Sequence, residues 1–187
     1  MIEARTLWLV VALLGGVGGA ACNGAGTSGG SAPVVQADAA KEAVQARPRP
    51  AGDPQPTLPT GYVEFERAAP RAPLTVKVEV AATDQQRQMG LMFREQMGEL
   101  EGMLFIFPTE RHNSFWMRNT LLPLDMFFID SDWTVVGVVE NAEPLTESPR
   151  EVAGMSQYVL EVNAGFAKRQ GFGAGDKLRF IAPGERP

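Results

Sequence analysis

The sequence predicts a mostly β chain: one compact single-domain β-sandwich or barrel-like fold with two short helices, carried on residues 60–187 of a 187-residue protein. Three observations lead there. Apolar and polar residues alternate, the two-residue period of a half-buried strand, in short runs from Tyr62 onward. Turn-forming clusters such as Asp130-Ser131-Asp132 and Gly173-Ala174-Gly175-Asp176 separate the runs. Only two stretches carry helix start or stop signals, too few for alternating β/α units.

In chain order, Tyr62 to Arg67 places Val63 and Phe65 on one face. Leu74 to Val80 alternates cleanly, with Leu74, Val76, Val78 and Val80 inward and Thr75, Lys77 and Glu79 outward. A helix is expected from Thr83 to about Phe93, because Thr83 and Gln86 have the spacing of a capping box. Strands follow at Met103 to Phe107, Ser114 to Met117, Leu124 to Ile129, Thr134 to Glu140, Tyr158 to Val162 and Lys177 to Ile181. A second helix, Ala164 to Gln170, stops at Gly171, a residue that turns left-handed after a helix without steric cost. Short strands at this close spacing favour a sandwich or a barrel.

The N-terminal third has a different composition. Residues 1–21 read as an export signal: Arg5 and the amino terminus supply positive charge, an apolar run covers Leu7 to Leu14, and small residues continue to Ala21. The run is far shorter than the roughly 20 residues of a membrane-spanning helix, the alternative reading. The one Cys, Cys22, follows Gly19-Ala20-Ala21. This looks like a bacterial lipobox, in which the cysteine sulfur is lipidated, although Gly19 stands where the pattern usually has Leu. A free thiol beside an ordinary cleavage site is the alternative. Residues 22–59 hold six of the 14 prolines and read as a flexible Gly/Ser/Pro-rich tether, unable to bury enough apolar area to offset its ordering entropy. The expectation is an exported protein, lipid-anchored through Cys22 to the cell membrane or outer membrane, with its domain facing the periplasm or exterior.

Charge and cysteine content narrow the function. With 17 Lys+Arg against 22 Asp+Glu the formal charge is −5, and the leader and tether are charge-balanced, so the excess acid lies on the domain. Nucleic acid is therefore not an expected partner. A single Cys excludes an intrachain disulfide and a cysteine-rich zinc site.

The densest mixture of unusual residues is Arg111 to Asp125, which holds the only His, a Trp, and the polar pair Asn119-Thr120. Asp125 lies inside the apolar run Leu124 to Ile129, where a carboxylate needs a partner; Asn119, Thr120, Arg94 and Arg118 are the candidates. In one reading Trp116, Asn119, Thr120 and Asp125 form the floor of a polar pocket with an aromatic wall. In the other, Asp125 caps the Asn-Thr loop and fixes its shape.

The segments QMGLMFRE (88–95), EGMLFIFP (101–108), FWMRNTLLPLDMFFID (115–130), YVLEVNAG (158–165) and GFGAGDKL (171–178) together resemble the bacterial and archaeal domain-of-unknown-function family 192. The resemblance covers about Leu74 to Ile181. It implies a compact, mostly β fold, often behind an export signal or lipobox, and it implies no activity. By motif, the positions that match include Gly90, Leu91, Met92, Arg94, Gly102, Met103, Trp116, Met117, Asn119, Thr120, Leu124, Asp125, Glu161, Gly165, Gly175 and Asp176. From these, Arg94, Trp116, Met117, Asn119, Thr120, Asp125 and Glu161 form the candidate pocket.

Three functions remain in view. A binding or accessory module for a small ligand or an envelope protein is the leading one, because aromatics beside polar residues suit a ligand pocket. An extracytoplasmic hydrolase-like enzyme using Asp125 is the second, although no nucleophile elbow surrounds any Ser and no catalytic residues are assigned. The third is Cu(I) handling by methionine thioethers. Met89, Met92, Met103, Met117 and Met126 sit in apolar runs, however, where Met more often fills the core. No metal site and no cofactor are expected.

Overall fold

Seven of the alternating runs become strands of one sheet. The structure is a computed structural model that describes residues 57–68 and 70–185. The predicted export signal, Cys22 and the tether as far as residue 56 lie outside the described residues. The elements are β1 (Thr60–Phe65), β2 (Leu74–Ala81), α1 (Asp84–Met89), β3 (Glu101–Arg111), β4 (Leu124–Ile129), β5 (Val135–Ala142), β6 (Ser156–Asn163), α2 (Phe166–Gln170) and β7 (Leu178–Ile181).

The spatial order is β5-β4-β6-β3-β2-β1-β7. Every neighbouring pair is antiparallel except β2 and β3. The sheet curls into a half-barrel, so the barrel-like expectation describes the chain, as one curled sheet and not two stacked ones. Its two end strands approach each other at one corner, where Val135 N donates to Asp176 O (2.9 Å) and Leu178 N to Trp133 O (2.9 Å). These bonds occupy edge groups that would otherwise be open to strand addition.

Local chemistry explains the boundaries. Thr83 caps α1 as its spacing predicts: Gln86 N donates to Thr83 Oγ1 (3.3 Å) and Thr83 N donates to Gln86 Oε1 (3.0 Å). The helix ends at Met89, four residues before the expected Phe93, because Gly90 (φ 49°) and Phe93 (φ 64°) leave helical conformation. β3 runs four residues past the expected Phe107. Pro108 is tolerated there because the ladder to β6 shifts between Ile106 and Arg111, where no regular amide donor is needed. Ser114 to Met117, expected as a strand, is a loop held by one bridge between Phe115 and Arg150. The β2–α1–β3 segment is a parallel crossover, a single β/α unit in an otherwise antiparallel chain.

Side chains of the curled sheet bury on both faces. One cluster joins Phe65, Val76, Leu104, Phe127 and Leu160 to Phe166 of α2. The other joins Met103, Phe105, Met126, Phe128 and Val159 to Leu91 and Met117, which reach over from the segments that cover this face. β4 is buried at all six positions because its alternate residues serve the two clusters. Leu58, within the segment expected as tether, packs into the second cluster, and Val80 N donates to Pro59 O (2.8 Å).

Candidate functional site

A cavity of about 580 Å³ opens on the second face of the sheet. α1 and the Gly90–Met92 turn form one side, and the end of β3 with the 111–116 loop forms the other. Phe105, Phe107 and Phe115 make the wall; Phe105 and Phe115 meet edge to face with centroids 5.0 Å apart. Phe107 is flanked by two guanidinium groups, Arg111 at 4.4 Å and Arg87 at 5.1 Å from the ring centroid. The β2–α1–β3 crossover brings these two arginines together although 24 positions separate them in sequence.

Glu161 of β6 joins this lining. Its register partners are Met103 and Met126, and it is only 4% exposed. Among the described residues no hydrogen bond or ion pair reaches its carboxyl. Burial alone pushes its pKa from 4.5 up to about 8, since a charged carboxylate would lose its hydration without compensation. At neutral pH the group is therefore mainly a protonated acid, able to donate and to accept.

The sequence-derived residues divide. Trp116, Thr120 and Glu161 line the cavity. Trp116, 46% exposed, also lines a neighbouring hollow with Asn119, and Arg118 lies over its ring at 5.7 Å. Asn119 holds a left-handed backbone (φ 54°), and its carbonyl accepts from Phe93 N (2.8 Å), tying the loop to the turn after α1. Met117 is fully buried in the second cluster. Arg94 pairs with Glu79 on β2, beside a separate small depression.

Asp125 lies on the opposite face, and its expected partners are wrong. Asn119, Thr120, Arg94 and Arg118 do not satisfy it. Its Oδ1 accepts from Asn141 N (2.8 Å) and Gly165 N (3.0 Å), and its Oδ2 accepts from Ala167 N (2.9 Å). The reason is the strand alternation: Leu124, Met126 and Phe128 face the second cluster, so Asp125 must face the first, where the start of α2 waits with unpaired amides. It caps α2, not the Asn-Thr loop.

Arg87, Phe105, Phe107 and Phe115 were not singled out by sequence. Two lie in the strand EGMLFIFP and one beside Trp116, but nothing local marks an aromatic as wall and not core.

These residues coincide with a known family. A family model described as an uncharacterised conserved protein family, domain of unknown function 192, matches residues 66–180. The chain belongs to this family. Two proteins with crystal structures are similar to this chain. One, from Sinorhizobium meliloti 1021, is described as a candidate transcription regulator; it shares 41% identity, covers 66% of this chain and 95% of its own, and superposes with a TM-score of 0.63. The other, of unknown function, is from Novosphingobium aromaticivorans DSM 12444, with 37% identity, 74% and 97% coverage, and a TM-score of 0.63. No curated protein matches the chain.

Proposed function

We propose that this family domain is a small-ligand-binding module, exported and held at the cell envelope by a lipid on Cys22, with the cavity between α1 and the 111–116 loop as its binding site. One observation carries the reading: an open, aromatic-walled cavity whose lining includes the largely buried residue Glu161, with a carboxyl that reaches the cavity and has no protein partner among the described residues. Buried polar groups are normally bonded, and unbonded ones concentrate where a ligand supplies the missing partner. A cavity of this size, with aromatic walls and polar groups interleaved among them, has room for a small molecule and groups to orient it.

The competing readings have less support. A hydrolase built on Asp125 would need its carboxylate free, but both oxygens accept backbone amides on the far face of the sheet. Cu(I) handling would need several converging accessible thioethers; Met89 and Met92 line the cavity, but Met103, Met117 and Met126 are 0% exposed inside an apolar cluster. Regulation of transcription, suggested for the Sinorhizobium relative, would call for a helix fitting the major groove and a basic face. The helices of the described residues have six and five residues, and the chain carries excess acid.

A ligand-observed NMR screen of the full chain tests the site. Hits should be lost in Trp116→Ala, a half-exposed position whose removal should leave the fold intact, as amide spectra would show. Binding that survives in this variant removes the cavity from consideration. Membrane fractionation of Cys22→Ser tests the anchor: release into the soluble fraction is expected, and retention on membranes contradicts it.

A further inference from the structure

We propose that the cavity takes a small organic monocation, an ammonium group on an apolar body, with Glu161 as its counter-ion. This rests on the cavity being a binding site, as proposed above, and adds the ligand's charge.

The charges around the cavity decide the sign. From α1 come Asp84 and Arg87, from the end of β3 and its following loop Arg111 and His112, and from the loop after β5 Glu147. Asp84 pairs with Arg87 (2.5 Å) and Glu147 with Arg118 (3.7 Å), a residue outside the lining, which leaves Glu161 as the one acid of the lining without an ion-pair partner among the described residues. The arginines also have other tasks. Arg87 donates to Asp84 Oδ1 (2.5 Å), to Ile106 O (2.6 Å) and to Ala82 O. Arg111 Nε donates to Asn113 Oδ1 (2.8 Å), and Asn113 is itself fixed to Ser156. An anionic ligand would have to compete with these bonds; a cation meets a carboxyl that has none.

The walls suit the same charge. Aromatic faces attract cations; Phe107 is taken by two guanidinium groups, which leaves the other rings of the lining for a ligand. Phe105, Phe115 and Trp116 offer apolar and aromatic surface to the body of such a ligand. When the cavity is empty, Glu161 avoids the cost of a buried charge by keeping its proton. An arriving ammonium supplies the opposite charge, Glu161 releases its proton to solvent, and the ammonium keeps its own.

Calorimetry of the full chain with three probes of similar size tests this: phenethylamine (cation), 2-phenylethanol (neutral) and 3-phenylpropionate (anion). The amine is expected to bind at least about tenfold tighter than the alcohol, the scale of one desolvated charge pair. Repeating the titration in buffers of different ionisation enthalpy should show nearly one proton released per amine bound at pH 7. Affinity should rise as the pH goes from 6 to 8, and it should do so in His112→Gln as well, which removes the imidazole from the lining. Glu161→Gln should bring amine and alcohol to equal affinity. The proton-release measurement needs only the natural chain, so it decides even if this variant misfolds. Equal or tighter binding of the alcohol or the carboxylate, an amine bound without proton release, or a preference kept by Glu161→Gln would each overturn the inference. If none of the probes binds while the general screen returns other ligands, the cation is wrong and the binding site stands. If the screen is also empty, both fall.

Discussion

Asp125 and Glu161 are two buried acids on neighbouring strands of one sheet. In the β4–β6 register Asp125 stands opposite Val162 and Glu161 opposite Met126, so the acids lie one step apart but on opposite faces. Asp125 is 0% exposed and accepts three backbone amides, two from the start of α2 and one from β5. Glu161 is 4% exposed, touches the cavity and has no hydrogen-bond donor among the described residues. The difference separates architecture from function. A buried carboxylate whose oxygens are all engaged holds elements together; one with no partner costs stability and is available to a ligand.

The contrast yields opposite outcomes on mutation. Asp125→Ala leaves three amides without an acceptor and should lower stability by about 4 kcal/mol, measured by urea denaturation, given roughly 1.5–3 kcal/mol per charge-assisted bond and incomplete additivity. Glu161→Gln should do the reverse. The native carboxyl, with its pKa raised to about 8, keeps a proton that the unfolded chain gives up near 4.5. Between these values the native state binds more protons than the unfolded state, so wild-type stability falls as pH rises, by about 1.4 kcal/mol per unit for this group. The Gln variant lacks that slope. It should be more stable than wild type by on the order of 3 kcal/mol at pH 7, with the gain vanishing below pH 4.

Two smaller effects sharpen the comparison. A Cβ on Gly102 would collide with the backbone carbonyl of Glu161, so β3 and β6 approach at this point only because the residue is Gly. Gly102→Ala should cost about 2 kcal/mol by thermal denaturation, the usual scale of overpacking, and should weaken ligand binding by displacing Glu161. Trp116→Ala, at the lip, should change stability by under about 1 kcal/mol while removing binding. A Trp116 variant that unfolds the domain would make the loop a fold determinant instead.

Much of the fold was legible because its signals are local. The alternation of Leu74 to Val80, the Thr83–Gln86 capping box and the Gly171 stop each depend on residues a few positions apart, and each recurs in the structure. Asp125 was legible as a buried acid from its apolar neighbours alone. Its partners were not, because Gly165 and Ala167 lie 40 and 42 positions away and only the β4–β6 pairing brings them near. The cavity was hidden for the same reason. Arg87, Phe107 and Arg111 become neighbours only once α1 crosses between two parallel strands, a connection that strand-dominated patterning did not announce. Glu161 was marked by family resemblance, while its lack of a partner is a property of three dimensions.

The most direct test of the contrast is the titration of the Glu161 side-chain carboxyl carbon by NMR in the ligand-free full chain. A midpoint near pH 8 is the expected result, the behaviour of an acid buried without a partner. A midpoint near the ordinary value of 4.5 would show a carboxylate already satisfied by protein or solvent, and the distinction between the two acids would be lost.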